Sequence, residues 1–143
     1  VILLLLLASL SLKGNVINEP VIVYQDKYIN AFCSKETDRL IICENDRDSL
    51  FGNLSYSRAE FKDGKLYRLD YVIPANQTVA KSISRQLKKL YGNPYHDGDL
   101  MPESLNETWS DNLTDITLSY SSGRENGLGH SIIRVSLTSV PQN

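Results

Sequence analysis

A chain of 143 residues with 41% hydrophobic and 22% charged side chains has room and apolar material for one globular domain and little more. Its 15 Lys and Arg against 17 Asp and Glu leave a net charge of -2, which gives no reason to expect nucleic acid or an anionic membrane surface as a partner. That much apolar material suffices for a core, so the domain need not be a disulfide-dense scaffold or a disordered tail.

Val1 to Leu7 is an unbroken aliphatic run, continued through Ala8 and Leu10 to Leu12. A bilayer span needs about 20 apolar residues, so this shorter run suits a secretion signal better than a membrane helix. Ser9 and Ser11 supply a small-x-small pattern, and cleavage after Ser11 is the expectation. Residues 1–12 are thus read as a signal truncated at its start, with neither an initiating Met nor a basic stretch. Residues 13–20 are read as a polar linker, and 21–143 as a single domain. The mature chain is expected to have no stable membrane insertion.

Val21-Ile22-Val23-Tyr24 opens what reads as a β-rich stretch reaching Ile29, and Leu40-Ile41-Ile42 as the core of a second strand. Between them lie Cys33 and Cys43, each behind an apolar residue, with a polar turn in the middle. Two strands joined by that turn bring the cysteines within bridging reach, so a Cys33–Cys43 disulfide is expected. The alternatives are two buried thiols or half of a metal site, but there is no C-x-x-C pair and no His beside either cysteine. A disulfide agrees with a periplasmic or secreted location.

Residues 44–53 (ENDRDSLFGN) read as a charged turn region ended by Gly52. Asp63-Gly64 then predicts a two-residue hairpin, with Ala59 and Phe61 on the outgoing apolar face and Tyr67, Leu69, Tyr71 and Ile73 on the returning one. After Pro74, an amphipathic helix is predicted from Asn76 or Thr78, with Val79, Ile83, Leu87 and Leu90 as its stripe and Gly92 and Pro94 as its stop. A loop from Asn93 to about Leu105 leads to a short strand at Trp109. Alternating strands follow at Ile116-Leu118-Tyr120 and Ile133-Val135-Leu137, separated by a Gly-rich loop. The order predicts an α+β fold: a mainly antiparallel sheet, one amphipathic helix on a face and one disulfide-stapled hairpin.

There is no P-loop, no G-x-S-x-G elbow, no H-E-x-x-H helix and no EF-hand loop, and no cofactor is implied. Gly127-Leu128-Gly129 lies between strands, where a hairpin loop is its natural use. His96 beside Asp97 and Asp99 could hold a metal or act as a base, though Asp-Gly pairs are ordinary turn formers. Glu103, Glu107, Asp111 and Asp115 recur every four residues, but like charges at that spacing repel in a helix, so loops and strand ends are expected. From Leu90 to Gly123 the chain has no Lys or Arg, whereas Arg58, Lys62, Lys65, Arg68, Lys81, Arg85, Lys88 and Lys89 crowd the hairpin and helix. Segregated charge can steer a partner, or the two lobes can face each other within the fold.

Taken together, Phe61 to Tyr71, Leu87 to Pro94, Trp109 and the Ile116-x-Leu118-x-Tyr120 strand resemble small bacterial envelope proteins; the resemblance implies no activity and supplies no site residues. The reading favours a binding module for another protein, of the inhibitor, immunity or envelope-assembly type, over an enzyme. Asp97, Asp99 and Glu103 are the first choice of contact surface, with Tyr91 and Tyr95, then the helix face of Arg85, Lys88 and Lys89. The alternatives are a small metal-dependent hydrolase built on His96, Asp97 and Asp99, or a structural envelope component.

Overall fold

Alternation of apolar and polar residues sorts side chains onto two faces of a strand, and here one face becomes the core. The computed structural model describes residues 10–97 and 104–140. Its eight strands are β1 (Phe32–Lys35), β2 (Leu40–Leu50), β3 (Asn53–Lys62), β4 (Lys65–Ile73), β5 (His96–Asp97), β6 (Ser104–Ser110), β7 (Thr114–Ser121) and β8 (Ile132–Ser139). They form one antiparallel sheet in the order β1-β2-β3-β4-β8-β7-β6-β5. Two meanders are thus joined where β4 meets β8, with Tyr71 opposite Val135.

Among the described residues three helices accompany the sheet: α1 (Val21–Lys27), α2 (Gln77–Tyr91) and the single turn α3 (Gly123–Asn126). The expected α+β architecture holds, and α2 is the amphipathic helix foreseen. The Asn76 side chain caps it by accepting from Val79 N at 3.2 Å. Its buried stripe is Ala80, Ile83, Ser84 and Leu87, set against β6 and β7. Leu90 departs from the expectation and is exposed, because the stripe drifts around the helix to Tyr91. Lys88 and Lys89 fill the last turn, Gly92 ends it at φ 83, and Trp109 Nε1 donates to the Gly92 carbonyl at 2.8 Å.

The disulfide is present, and Cys33 and Cys43 sit directly opposite each other on β1 and β2 with Cα atoms 4.0 Å apart. Closing so short a loop contributes about 2–3 kcal/mol.

Several local expectations are corrected. Val21 to Tyr24 is helical, despite its β-branched residues: Pro20 starts a turn, the Val21 N–H bonds Gly64 O, and Tyr24 drops into the core against Phe61. Tertiary packing outweighs β propensity here. Residues 44–50 continue β2 rather than forming a turn, and the turn comes at Phe51-Gly52, both at positive φ. A bulge between Asn45 and Asp48 adds one residue to β2, so both side chains face inward. A second bulge, between Glu60 and Phe61, pairs Phe61 with Leu66. Leu66 therefore takes the core position expected of Tyr67. Asp63 and Gly64 form the predicted turn with φ 52 and 79.

From Leu12 to Ala31 the chain lies over the β2–β4 half of the core face, while Leu10 and Ser11 reach Asp111 and Tyr91, so the segment read as signal end and linker is packed in this structure. Leu10 and Leu12 are buried, and Leu12 and Asn15 exchange backbone hydrogen bonds at 3.0 Å. Beneath this strap lies a polar network. Asp48 takes Lys13 Nζ and Ser57 Oγ, each at 2.6 Å. Buried Asn15 donates to Tyr28 Oη at 2.8 Å and accepts from Lys27 Nζ at 2.8 Å. Asp48, Ser57 and Asn15 are buried while Lys13 and Lys27 stay exposed, and the network ties the strap to β2 and β3.

Candidate binding surface on the open sheet face

Helix α2 and the strap cover one face of the sheet; the opposite face is assembled from the alternate positions of the strands. The register aligns these positions in rows. One row crosses the whole sheet: Phe32, Glu44, Arg58, Asp70, Ser136, Thr117, Thr108 and His96. The row beside it sets Ile42, Glu60, Arg68, Thr138 and Asp115 in line. The row on the other side runs Tyr56, Val72, Arg134 and Ser119.

At the middle of the face the register makes a checkerboard of charge. Arg58 stands opposite Asp70 and Arg68 opposite Glu60. Within each strand Arg58 Nη1 reaches Glu60 Oε1 at 2.7 Å, and Arg68 Nε reaches Asp70 Oδ2 at 2.7 Å. Arg58 also lies 3.9 Å from Glu44, and Ser136 Oγ donates to Asp70 Oδ1. The hydrogen bond from Arg68 to Asp70, aided by their charges, raises the guanidinium above its ordinary value. Burial, with Glu44 next, also holds the Tyr56 hydroxyl proton more tightly than usual. The arrangement is mutually neutralised and serves sheet pairing.

Arg134 differs. Its cross-strand neighbours are Val72 and Ser119, neither of them acidic, and among the described residues it forms no ion pair. It is exposed, at the margin of an open concavity of about 370 Å³ that also contains the checkerboard. Next to it a second concavity of about 330 Å³ is lined by Leu54, Tyr56, Val72, Pro74 and Ile132 together with Asp46, Ser55 and His130. Leu54 is 80% exposed there, a large aliphatic residue presented to solvent. A third hollow, about 530 Å³, continues toward Phe32 and the β2 bulge. The open face thus carries an unpaired guanidinium beside an apolar strip, and a charged network along the other flank.

The residues chosen from sequence are dispersed. Asp99 and Glu103 lie outside the described residues; for His96 and Asp97 only the backbone in β5 is described. Tyr95 is exposed as expected, whereas Tyr91 is half-buried, with its hydroxyl donating to Ser11 O. Arg85 and Lys89 are exposed. Lys88 instead points back to Glu107, with Nζ 3.0 Å from Oε2. Glu107 is a correction: it sits within β6 on the core face, fully buried, with Ser84 Oγ donating to its other oxygen. Part of the charge asymmetry is therefore internal pairing of the helix with the acidic segment.

Among the described residues, no group of three or more His, Cys, Asp or Glu side chains could hold a metal ion. No described helix is long and apolar enough to cross a membrane. Sequence reasoning missed Arg134 and Leu54. A solvent-side leucine in an alternating strand was the available signal for one; the isolation of Arg134 depends on which strand pairs with β8. No family model, curated protein or solved structure matches the chain.

Proposed function

We propose that the chain is an exported binding module that takes a protein partner on its open sheet face. The partner segment presents a carboxylate to Arg134 and an apolar side chain to the strip formed by Leu54, Tyr56, Val72 and Ile132. The observation that carries this reading is the exposed guanidinium that has no acidic cross-strand partner and, among the described residues, no ion pair, set against apolar surface, while Arg58 and Arg68 are each ion-paired within the checkerboard. An unmatched cation beside an apolar hollow suits a two-part contact, in which charge directs approach and burial slows dissociation. A rigid antiparallel sheet is a scaffold that loses little freedom on binding. The Cys33–Cys43 disulfide supports export, since such bonds persist in oxidising compartments.

Site-specific photo-crosslinking in the native host tests the reading. A photoreactive residue in place of Leu54 is expected to capture a discrete protein, and Arg134→Glu to reduce the capture by at least about tenfold at partner concentrations below the dissociation constant. The same probe at Lys89, on α2, is expected to capture nothing specific. Capture from Lys89 but not from Leu54 would overturn the choice of face.

A further inference from the structure

The strap begins with an unusual anchor. The Leu10 backbone nitrogen donates to Asp111 Oδ2 at 3.0 Å. Asp111 belongs to the turn between β6 and β7, where its N–H bonds Thr114 O at 2.9 Å. Its other oxygen accepts from Leu113 N at 2.9 Å and Thr114 N at 2.8 Å. The turn therefore fixes the carboxylate and leaves Oδ2 aimed at Leu10. Among the described residues no side-chain cation pairs with Asp111. Three backbone N–H groups hold the carboxylate in its charged form without supplying a full opposite charge; an ammonium group at the Leu10 nitrogen would add one.

The neighbouring residues argue for the same origin. Leu10 is 7% exposed and Leu12 1%, and the Tyr91 hydroxyl donates to Ser11 O. Cleavage after Ser11 would strip Leu10 from the core and take away the acceptor of Tyr91. Cleavage after Ser9 keeps every one of these contacts and leaves a small residue immediately before the cut, with Leu7 at the third position back.

Resting on the export reading, we infer that a signal-peptidase-type endopeptidase cuts between Ser9 and Leu10, and that the new Leu10 α-ammonium forms an ion pair with Asp111. Water is the co-reactant: its oxygen adds to the Ser9 carbonyl carbon as the C–N bond breaks, leaving a Ser9 carboxylate, and both of its protons end on the Leu10 nitrogen as the α-ammonium. The cut is made on the extended chain before folding. The ion pair then ties three elements at one point, since the strap, the last turn of α2 through Tyr91 and the β6–β7 turn meet there.

The test is intact mass and N-terminal sequencing of the folded protein, expressed with its leader in an export-competent host. A chain beginning at Leu10 is expected. A chain beginning at Leu12 overturns the inference while leaving export standing, as does any start before Leu10, which makes that nitrogen an amide. An uncleaved leader overturns both. On protein beginning at Leu10, acylation of the α-amine at neutral pH is expected to be several-fold faster in Asp111→Asn than in wild type. The asparagine oxygen still accepts the turn hydrogen bonds, so the fold is retained. Equal rates would remove the ion pair from the account.

Discussion

Lys88 on α2 closes over Glu107 on β6, its Nζ 3.0 Å from a carboxylate that is fully buried. Ser84, one turn earlier on the helix, donates to the other oxygen of the same carboxylate. The pair clamps the helix to the sheet at a point where apolar packing alone would allow it to slide. Removing one member leaves the other uncompensated. Lys88→Met is expected to lower stability by about 2–4 kcal/mol, and adding Glu107→Leu to recover most of that. Urea unfolding midpoints of the single and double variants measure it; a single variant as stable as wild type would show the pair to be incidental.

The disulfide makes a separate prediction. Non-reducing peptide mapping is expected to recover Cys33 joined to Cys43, and the Cys33→Ser/Cys43→Ser variant to lose about 2–3 kcal/mol. The sheet survives, because β2 keeps its pairing with β3. Free alkylation of both thiols in folded, oxidised protein would contradict the structure and weaken the case for export.

Alkali is expected to open the strap. Burial pushes the Tyr24 hydroxyl up to about 12 from 10.0, with Ser57 opposing, and burial drives Tyr71 up as well, with Tyr28 and Asp48 adding to it. Neither hydroxyl has a well-directed hydrogen bond among the described residues. Both groups hold their protons more tightly folded than unfolded. The stability this represents is complete below about pH 10 and is lost as pH rises toward about 12, at about 1.4 kcal/mol per pH unit for each tyrosine. Melting curves from pH 9 upward, with absorbance at 295 nm as the ionisation signal, check the sign. A Tyr24→Phe variant with an unchanged alkaline slope would contradict it.

How much of this was legible in the sequence divides along physical lines. Asp63-Gly64, the Asn76 cap and the alternation of Ile116 to Tyr120 and Ile133 to Leu137 are local signals, and the structure follows them. The two bulges are not local: an extra residue flips every side chain beyond it, which is how Leu66 displaces Tyr67 and Asp48 turns inward. Helix α1 was hidden because Val21, Ile22 and Val23 favour strands, and only the seat for Tyr24 decides otherwise. The charge count was visible, but its use was not. Glu107 became internal through a helix contact, and Arg134 was left unmatched by the pairing of β8 with β4 and β7.

Affinity of the captured partner for the Arg134→Glu variant tests the open-face account most directly. Arg134 is exposed and forms no ion pair among the described residues, so the reversal is expected to leave the melting temperature unchanged within the effect of an ordinary surface substitution. Loss of a charge-assisted contact is expected to weaken binding by about 10–100-fold. Binding that survives Arg134→Glu intact, yet collapses when Asp97, Asp99 and Glu103 are reversed to Lys, would contradict the account and return the contact surface to the acidic segment.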